Sequence, residues 1–242
     1  MTAEPMALTS AITIDAAVAA ARPSTTRPRT ETGARRARSA GYATTKRALD
    51  VFVAATLLVL LLPVFALIAL AIVWEAGGPV FYCAERIGRL GRPFCVVKFR
   101  SMRSGCDQGA HAAFVKSLMK GTTCSVYKVP EDPRITKVGA FLRRTSLDEL
   151  PQLWNVLRGE MSLVGPRPDV PYAFSEYADW MYGRLAVQPG ITGLWQVSGR
   201  SRLSLLDMYR LDVAYAAHPS LSQDLRILLR TIPVVLGRDG AA

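Results

Sequence analysis

Residues 51–74 read VFVAATLLVLLLPVFALIALAIVW, with Thr56 the one polar side chain. As a straight helix this run would extend about 36 Å, enough to cross a bilayer. A helix buried inside a water-soluble domain is rarely so long and so uniformly apolar, so hydrocarbon is its better solvent. Arg35, Arg36, Arg38, Lys46 and Arg47 precede it, and Arg86, Arg89, Arg92, Lys98, Arg100 and Arg103 follow it. Positive residues favour the cytoplasmic side, so basic flanks at both ends favour a helix that dips into one leaflet and returns. Pro63 removes a backbone hydrogen bond near the midpoint and favours a kink there. A tilted spanning helix is the alternative, because membrane helices tolerate proline.

The remainder of the 242 residues is enough for one ordinary domain. A formal net charge of +11 calls for an anionic partner: nucleic acid, an acidic membrane surface or a phosphorylated substrate. Residues 1–45, rich in Ala, Thr and Arg with Tyr42 the only aromatic, have little to bury and read as a disordered basic tail. Cys83, Cys95, Cys106 and Cys124 form no CxxC or metal-ligand spacing and read as reduced thiols. His111 and His218 stand near no ligand-like cluster.

After the apolar run, "GGPVFYCAERIGRLGRPFCVVKFRSM" reads as a basic β-hairpin. Its strands fall around residues 80–82 and 94–102, with turn-forming Gly88, Gly91 and Pro93 between them. Strand alternation puts Lys98 and Arg100 on one face, suited to phosphate or to a lipid headgroup. Residues 104–131 form an irregular excursion with no legible role. Two helices are expected nearer the C-terminus, at residues 203–217 and 222–232. The second carries Leu225, Leu228, Leu229 and Ile232 on a shared side, fit for a core or for the membrane interface.

Chemistry concentrates in "FLRRTSLDELPQLWNVLRGEMSLVGPRPDV". Asp148 and Glu149 are adjacent, and two readings compete for them. Ser146 with Glu149 matches a capping box, and acidic residues suit the first turn of a helix. Pro151 conflicts with that register and moves the helix start nearer Asp148. Alternatively the pair is a reactive centre. Arg143 and Arg144 precede it, and Arg167 follows between Pro166 and Pro168, presented on a stiff backbone. Arginines grip phosphate through charge-assisted bidentate bonds, and Mg²⁺ usually takes one or two carboxylates plus substrate phosphates. An aspartate can itself attack phosphorus.

These segments resemble the bacterial sugar transferases, the monotopic phosphoglycosyl transferases. The similarity runs from about Lys46 to Leu236 through "KRALDV", "GGPVFY", "ERIGRLGRPF", "KFRSM", "DPRITKVGAFLRRTSLDELPQLWNVLRGEMSLVGPRP" and "PGITGLWQVSGR". The stretch "LDVAYAAHPSLSQDLRILLRTIPVV" looks like the branch that transfers hexose 1-phosphate in exopolysaccharide and O-antigen assembly. The long "DPRIT…GPRP" match favours the reactive centre over mere capping.

The resemblance implies an α+β, membrane-associated monotopic enzyme with a re-entrant, Pro-kinked helix, interfacial amphipathic helices and a small β-hairpin. Residues 46–75 would be membrane-embedded and 76–242 would form a cytosolic sugar transferase domain at the bacterial inner membrane. It further implies transfer of a sugar 1-phosphate, glucose or galactose 1-phosphate by analogy, from a UDP-sugar to undecaprenyl phosphate, with release of UMP. By matching motif positions, Asp148 would be the nucleophile of a covalent phosphosugar intermediate. Glu149 would assist as metal ligand or proton carrier, and Arg143 and Arg167 would bind phosphate. Lys98 and Arg100 would lie in the family's basic strand, Pro63 would mark the membrane-helix break, and Mg²⁺, held by Asp148 and Glu149, is the expected cofactor. Two positions depart from the family pattern: Leu62 precedes Pro63 where serine is frequent, and Ala84 stands where a longer polar residue is usual.

Two other classes are weighed against the enzyme. A non-catalytic membrane scaffold would depend on the basic tail rather than on Asp148. A nucleic-acid binder would need a reading motif, or basic residues interleaved with stacking aromatics, and the chain has neither. Membrane lipids and the two substrates are the expected partners, with homo-oligomerisation left open.

Overall fold

A computed structural model describes residues 40–103 and 134–237, together with Val115 and Met119. The expected tail up to residue 39 and nearly all of the 104–131 excursion, with Cys106, Cys124 and His111, lie outside the described residues. The architecture is α+β, and each piece of it follows from local chemistry.

The apolar run forms two helices, α1 (Ala40–Leu60) and α2 (Leu62–Ala76). They are bent by 60° at Leu61, and no single described helix is long and apolar enough to cross a membrane. Pro63 lies at the start of α2, where its missing N–H is harmless to α2 but interrupts the ladder running up from α1. The break therefore precedes the proline by two residues, and Leu61 N–H still bonds Leu57 O at 2.9 Å. Helix α1 also begins at Ala40, which corrects the expected tail boundary at residue 45. Tyr42 Oη donates to Asp224 at 3.0 Å, an anchor that composition alone does not reveal.

The hairpin pairs β1 (Phe81–Ile87) with β2 (Pro93–Phe99) in antiparallel register, Tyr82 opposite Lys98. Cys83 and Cys95 are joined as a disulfide across it, with Cα atoms 5.4 Å apart, which corrects the expectation of four reduced thiols. Strand pairing brings together two cysteines whose separation of 12 residues signals nothing by itself. Then follow α3 (Lys137–Thr145), a 3₁₀ turn at Leu147–Glu149, and α4 (Gln152–Arg158).

A second, unforeseen sheet pairs β3 (Ser162–Val164) with β4 (Gly190–Thr192) in parallel. These are the "SLVGPRP" and "PGITG" segments, each too short to show a strand period. Gly165 and Gly190 permit the pairing: a Cβ on either would run into the backbone of the other. A short helix α5 (Pro171–Phe174) and a 3₁₀ stretch (Asp179–Ala186) make the crossover. Helices α6 (Leu205–Ala217) and α7 (Leu221–Leu236) close the chain, near the expected spans, with Ser204 and Ser220 as N-caps.

One core joins α1, β2, α4, β3, α6 and α7 through Ala54, Val96, Leu153, Val156, Leu163, Tyr215 and Ile227. A second joins α2 to β2 and α3 through Ile68, Ile72, Phe99 and Leu142. Three residues of "KRALDV" act as internal ties rather than as loose flanking charge. Lys46 Nζ meets Asp224 at 2.9 Å, and Arg47 donates to the carbonyls of Val156 and Leu157 at the end of α4. Asp50 Oδ1 accepts from Leu163 N–H at 3.1 Å. Arg47 thus supplies a cation to the C-terminal end of α4, as the helix dipole favours.

Asn155, fully buried, links α4 to β2. Its Oδ1 accepts from Val97 N–H at 3.0 Å, and its Nδ2 donates to Cys95 O at 2.6 Å and to Glu160 at 2.7 Å. Asn155→Ala strands a partly buried donor on Val97 and a partly buried acceptor on Cys95, and is expected to cost about 2–4 kcal/mol, since each unmet group costs about 1–3 kcal/mol. A fall in the thermal unfolding midpoint of detergent-solubilised protein, larger than for exposed Asn- or Gln-to-Ala controls, checks this.

Candidate active site

Ser146 adopts the left-handed region (φ 58°) and closes α3, so Leu147–Glu149 turn back as a 3₁₀ element before α4. Its side chain makes no capping bond, and Pro151, not Ser146, stands at the start of α4. The capping-box reading is thereby corrected: a serine in the αL conformation cannot direct its hydroxyl at the N–H groups of the following turn as an extended N-cap does. The turn presents both carboxylates towards the hairpin and the loop after β3.

Glu149 Oε1 accepts from Lys98 Nζ at 2.7 Å and from Arg167 Nη2 at 2.5 Å, and Oε2 accepts from Arg167 Nη1 at 3.2 Å. Burial pushes its pKa up, but the charges of Arg167 and Lys98, with their hydrogen bonds, outweigh it and hold Glu149 well below the usual carboxylate range. Asp148 is buried and makes no hydrogen bond or ion pair among the described residues. Its pKa is raised chiefly by burial, against the pull of Lys98, with Glu149 adding to the rise and Arg167 and Arg143 opposing it. Two adjacent carboxyls are thus driven in opposite directions: one saturated by cations, the other desolvated and unpartnered, the combination expected of a reactive site.

Of the residues expected from sequence, Asp148, Glu149, Lys98 and Arg167 are brought together, and Arg143, in the last turn of α3, acts on Asp148 through its charge. Arg100 is not with them. It is buried and donates Nη1 to Gly78 O (2.7 Å) and Nη2 to Ala76 O (2.7 Å) and Gly77 O (2.5 Å), at the C-terminal end of α2. Strand alternation put Lys98 and Arg100 on one face, but β2 ends at Phe99, and Arg100, one residue beyond it, meets the end of α2 while Lys98 meets Glu149. Pro63 lies at the bend, near the opposite end of α2.

The Arg167 loop is held from behind by a buried group that the sequence did not disclose. Arg184 Nη2 donates to Arg167 O at 2.7 Å and to Asp212 Oδ2 at 2.5 Å. Its Nη1 reaches Asp169 Oδ2 at 3.1 Å, and its guanidinium lies 4.6 Å from the centre of the Tyr209 ring. Tyr177 and Tyr209 both donate to Asp169 Oδ2. The one available signal was Asp212, an acid on the buried side of α6 with Met208, Leu211 and Tyr215, and such an acid requires a partner. Arg184 itself lies in an irregular stretch with nothing to mark it.

No cluster of three or more His, Cys, Asp or Glu side chains that could hold a metal occurs among the described residues. For Mg²⁺ the donor chemistry nonetheless fits a shared site. Asp148 has unpartnered oxygens, whereas Glu149 already accepts three bonds and has little capacity left.

The fold is α+β, with a bent apolar helix pair beside a paired-carboxylate centre, and comparison with known proteins gives its family. The family model described as bacterial sugar transferase matches residues 41–238, and the chain belongs to that family. A UDP-galactose-lipid carrier transferase of Erwinia amylovora is 43% identical over 197 residues, which cover 81% of this chain and 41% of that protein. The exopolysaccharide production protein ExoY of Rhizobium meliloti is 43% identical over 191 residues, 78% of this chain and 84% of that protein. The UDP-glucose:undecaprenyl-phosphate glucose-1-phosphate transferase of Caulobacter vibrioides is 41% identical over 208 residues, 81% of this chain and 71% of that protein. The chain spans about two-fifths of the length of the Erwinia protein and most of the other two.

The opposed shifts are open to titration. Asp148 is expected to protonate above, and Glu149 below, the normal carboxyl range, and Lys98→Met to move both upward by removing a cation each one feels. Ionised Glu149 contributes stability that is present above its unfolded pKa and lost as pH falls through its depressed folded value. Ionised Asp148 has the opposite sign, so its protonation on mild acidification favours the fold. Carbon-13 NMR of labelled Asp and Glu side chains, assigned with Asp148→Asn and Glu149→Gln, checks both directions.

Proposed function

We propose that this protein transfers a sugar 1-phosphate from a UDP-sugar to undecaprenyl phosphate, with glucose or galactose 1-phosphate the favoured group. The reading is carried by the buried, unpartnered Asp148 carboxylate set beside a Glu149 saturated by Lys98 and Arg167. The relatives' names, which specify UDP-glucose, undecaprenyl phosphate and a lipid carrier, supply the substrate class. Transfer would begin the assembly of an exopolysaccharide or O-antigen-type glycan; the name of ExoY, an exopolysaccharide production protein, supports the first of these.

In the proposed reaction an Asp148 oxygen attacks the phosphorus that bears the sugar. A bond forms from that oxygen to phosphorus, the diphosphate bridge breaks, and UMP leaves with the bridging oxygen and its electron pair. The resulting aspartyl phosphosugar is then attacked by a phosphate oxygen of undecaprenyl phosphate. That step frees the Asp148 carboxylate and yields the lipid diphosphate sugar. Desolvation raises the reactivity of an ionised carboxylate, and it also raises the pH needed to ionise it. Lys98 and Arg167 face the carboxylate pair and are placed to neutralise charge as UMP departs. Glu149, held ionised far below neutrality, orients these two cations and is unsuited to carrying a proton at neutral pH. Mg²⁺ would be held by Asp148 and the substrate's phosphate oxygens, with Glu149 beside it, and would neutralise diphosphate charge.

The bent helix pair is proposed to sit in the bacterial cytoplasmic membrane as a re-entrant wedge with the dyad at the cytoplasmic face. Phe52, Val59, Leu60, Leu62, Leu67 and Leu70 are all largely exposed, and Trp74 is 89% exposed. On α7, Ile227 and Asp224 face the core while Leu225, Leu229 and Ile232 turn outward, an apolar surface that lipid would cover. The spanning alternative separates cleanly from this. Introduced cysteines at exposed Thr44 and Glu85 are expected to label from one side of inside-out vesicles, above the wild-type background, whereas a spanning pair would label them from opposite sides.

The reaction is tested by UMP release from protein in nanodiscs with Mg²⁺, undecaprenyl phosphate and a panel of UDP-sugars. Release with one sugar is expected, and Asp148→Asn should reduce it by roughly a thousandfold or more, as loss of a nucleophile does. Arg167→Lys forfeits the bidentate grip, about 1.5–3 kcal/mol for a charged hydrogen bond, and should slow turnover about ten- to a hundredfold. Turnover that survives in Asp148→Asn would overturn the assignment.

A further inference from the structure

Helix α3 has nine residues, too few to hold its place by its own hydrogen bonds. Its N-terminus is completed from far away in the chain. Glu75, in the last turn of α2, accepts from Lys137 N–H through Oε1 at 2.7 Å and from Val138 N–H through Oε2 at 2.8 Å. Thr136 takes the next donor, Gly139 N–H, at 2.9 Å. Glu75 is an exposed side chain whose carboxylate is nonetheless held in the ionised form, first by the Val138 bond and against only slight burial. An exposed glutamate at the end of an apolar helix has no packing reason to reach across 62 residues of sequence to two backbone donors.

Arg100 makes the complementary joint. Its guanidinium satisfies three consecutive carbonyls, Ala76, Gly77 and Gly78, just where α2 ends and its last carbonyls lack partners. The two side chains therefore place a cation at the C-terminal end of α2 and an anion at the N-terminal end of α3, each matched to its dipole. Between them the start of α3 lies tight against the chain just after β2. Thr136 N–H bonds Ser101 O at 3.2 Å, and a Cβ at Gly139 would collide with the Ser101 backbone. At its other end α3 passes through the left-handed Ser146 straight into the Asp148 turn, with no loop to absorb a displacement. Leu142, Leu147 and Leu150 pack in the same cluster as Ile68 and Ile72 of α2.

We propose that Glu75 and Arg100 are positioning residues: they lock the end of the bent helix pair to α3 and β2, and so set where Asp148 stands relative to the membrane-seated helices and to Lys98. Lys98, in β2, holds Glu149, and Arg100, one residue past the end of β2, holds the end of α2, so β2 is the shared reference for both. The importance of the joint for turnover rests on the reading of Asp148 as the reacting carboxylate; its mechanical part does not.

Glu75→Ala removes both acceptors at an exposed position, and Glu75→Gln keeps one. Arg100→Lys keeps the charge but cannot span three carbonyls. In nanodiscs, Glu75→Ala is expected to lower kcat for UMP release about tenfold, with the donor KM changed less than about twofold, the signature of a misplaced reacting group. Glu75→Gln should fall between it and the wild type, and Arg100→Lys should shift kcat in the same direction. Hydrogen exchange should quicken at residues 137–149 while Ser162–Val164 and Leu205–Ala217 keep wild-type protection. Unchanged kcat, unchanged exchange at 137–149, or exchange that rises equally in every element would overturn the proposal. Exchange does not depend on turnover: a wild type that releases no UMP, together with local loosening in Glu75→Ala, would overturn the reaction reading and leave the joint standing.

Discussion

Everything at the centre of this protein is arranged around one carboxylate, Glu149. It receives Lys98 from the hairpin and Arg167 from the loop after β3, so three segments distant in sequence converge on two oxygens. Taking a carboxylate, an ammonium and a guanidinium partly out of water is costly unless each meets an opposite charge with good geometry, and here each does. The consequence falls on the neighbour. With Glu149 saturated, Asp148 is left buried and without a hydrogen-bond partner among the described residues, the state on which the proposed role of its carboxylate rests.

The scaffold behind this centre is polar where an apolar core would be simpler. Arg184, Asp212, Asp169 and two tyrosines form a buried, hydrogen-bonded group that ends on the Arg167 carbonyl. Asn155 similarly ties α4 to the strand that carries Lys98. Such networks are directional, so they fix the position of a loop or strand more narrowly than apolar packing does, at the cost of needing every member satisfied. A centre that brings Lys98, Arg167 and two carboxyls together from distant segments benefits from that rigidity.

The bent apolar helix pair and the paired carboxylates are mechanically one object. The bend at Leu61 returns α2 so that its end meets α3, and Glu75 and Arg100 close that junction. Exposed apolar surface on α1, α2 and α7 then lies on the same small body as the dyad.

Much of this was readable from the chain. The uninterrupted apolarity of residues 51–74 and Pro63 within it announced a broken apolar helix, because a proline cannot donate to the ladder wherever it is placed. The glycine- and proline-punctuated basic segment announced the hairpin, and Asp148, Glu149 and Arg167 were singled out as one centre, which the fold does bring together. What the sequence could not determine were partners across long separations. Ser146 and Glu149 satisfy a local capping pattern, yet a left-handed Ser146 sends Glu149 to Lys98 and Arg167 instead. Lys98 and Arg100 look equivalent by strand alternation, yet one meets a carboxylate and the other three carbonyls. The parallel β3–β4 pair and the Arg184 group were invisible because three-residue strands carry no period and a buried arginine is recognised only by the acids that surround it. Apolarity, backbone restriction and residue type act locally and can be read in order along the chain; which charges neutralise one another depends on distances that exist only once the chain has folded.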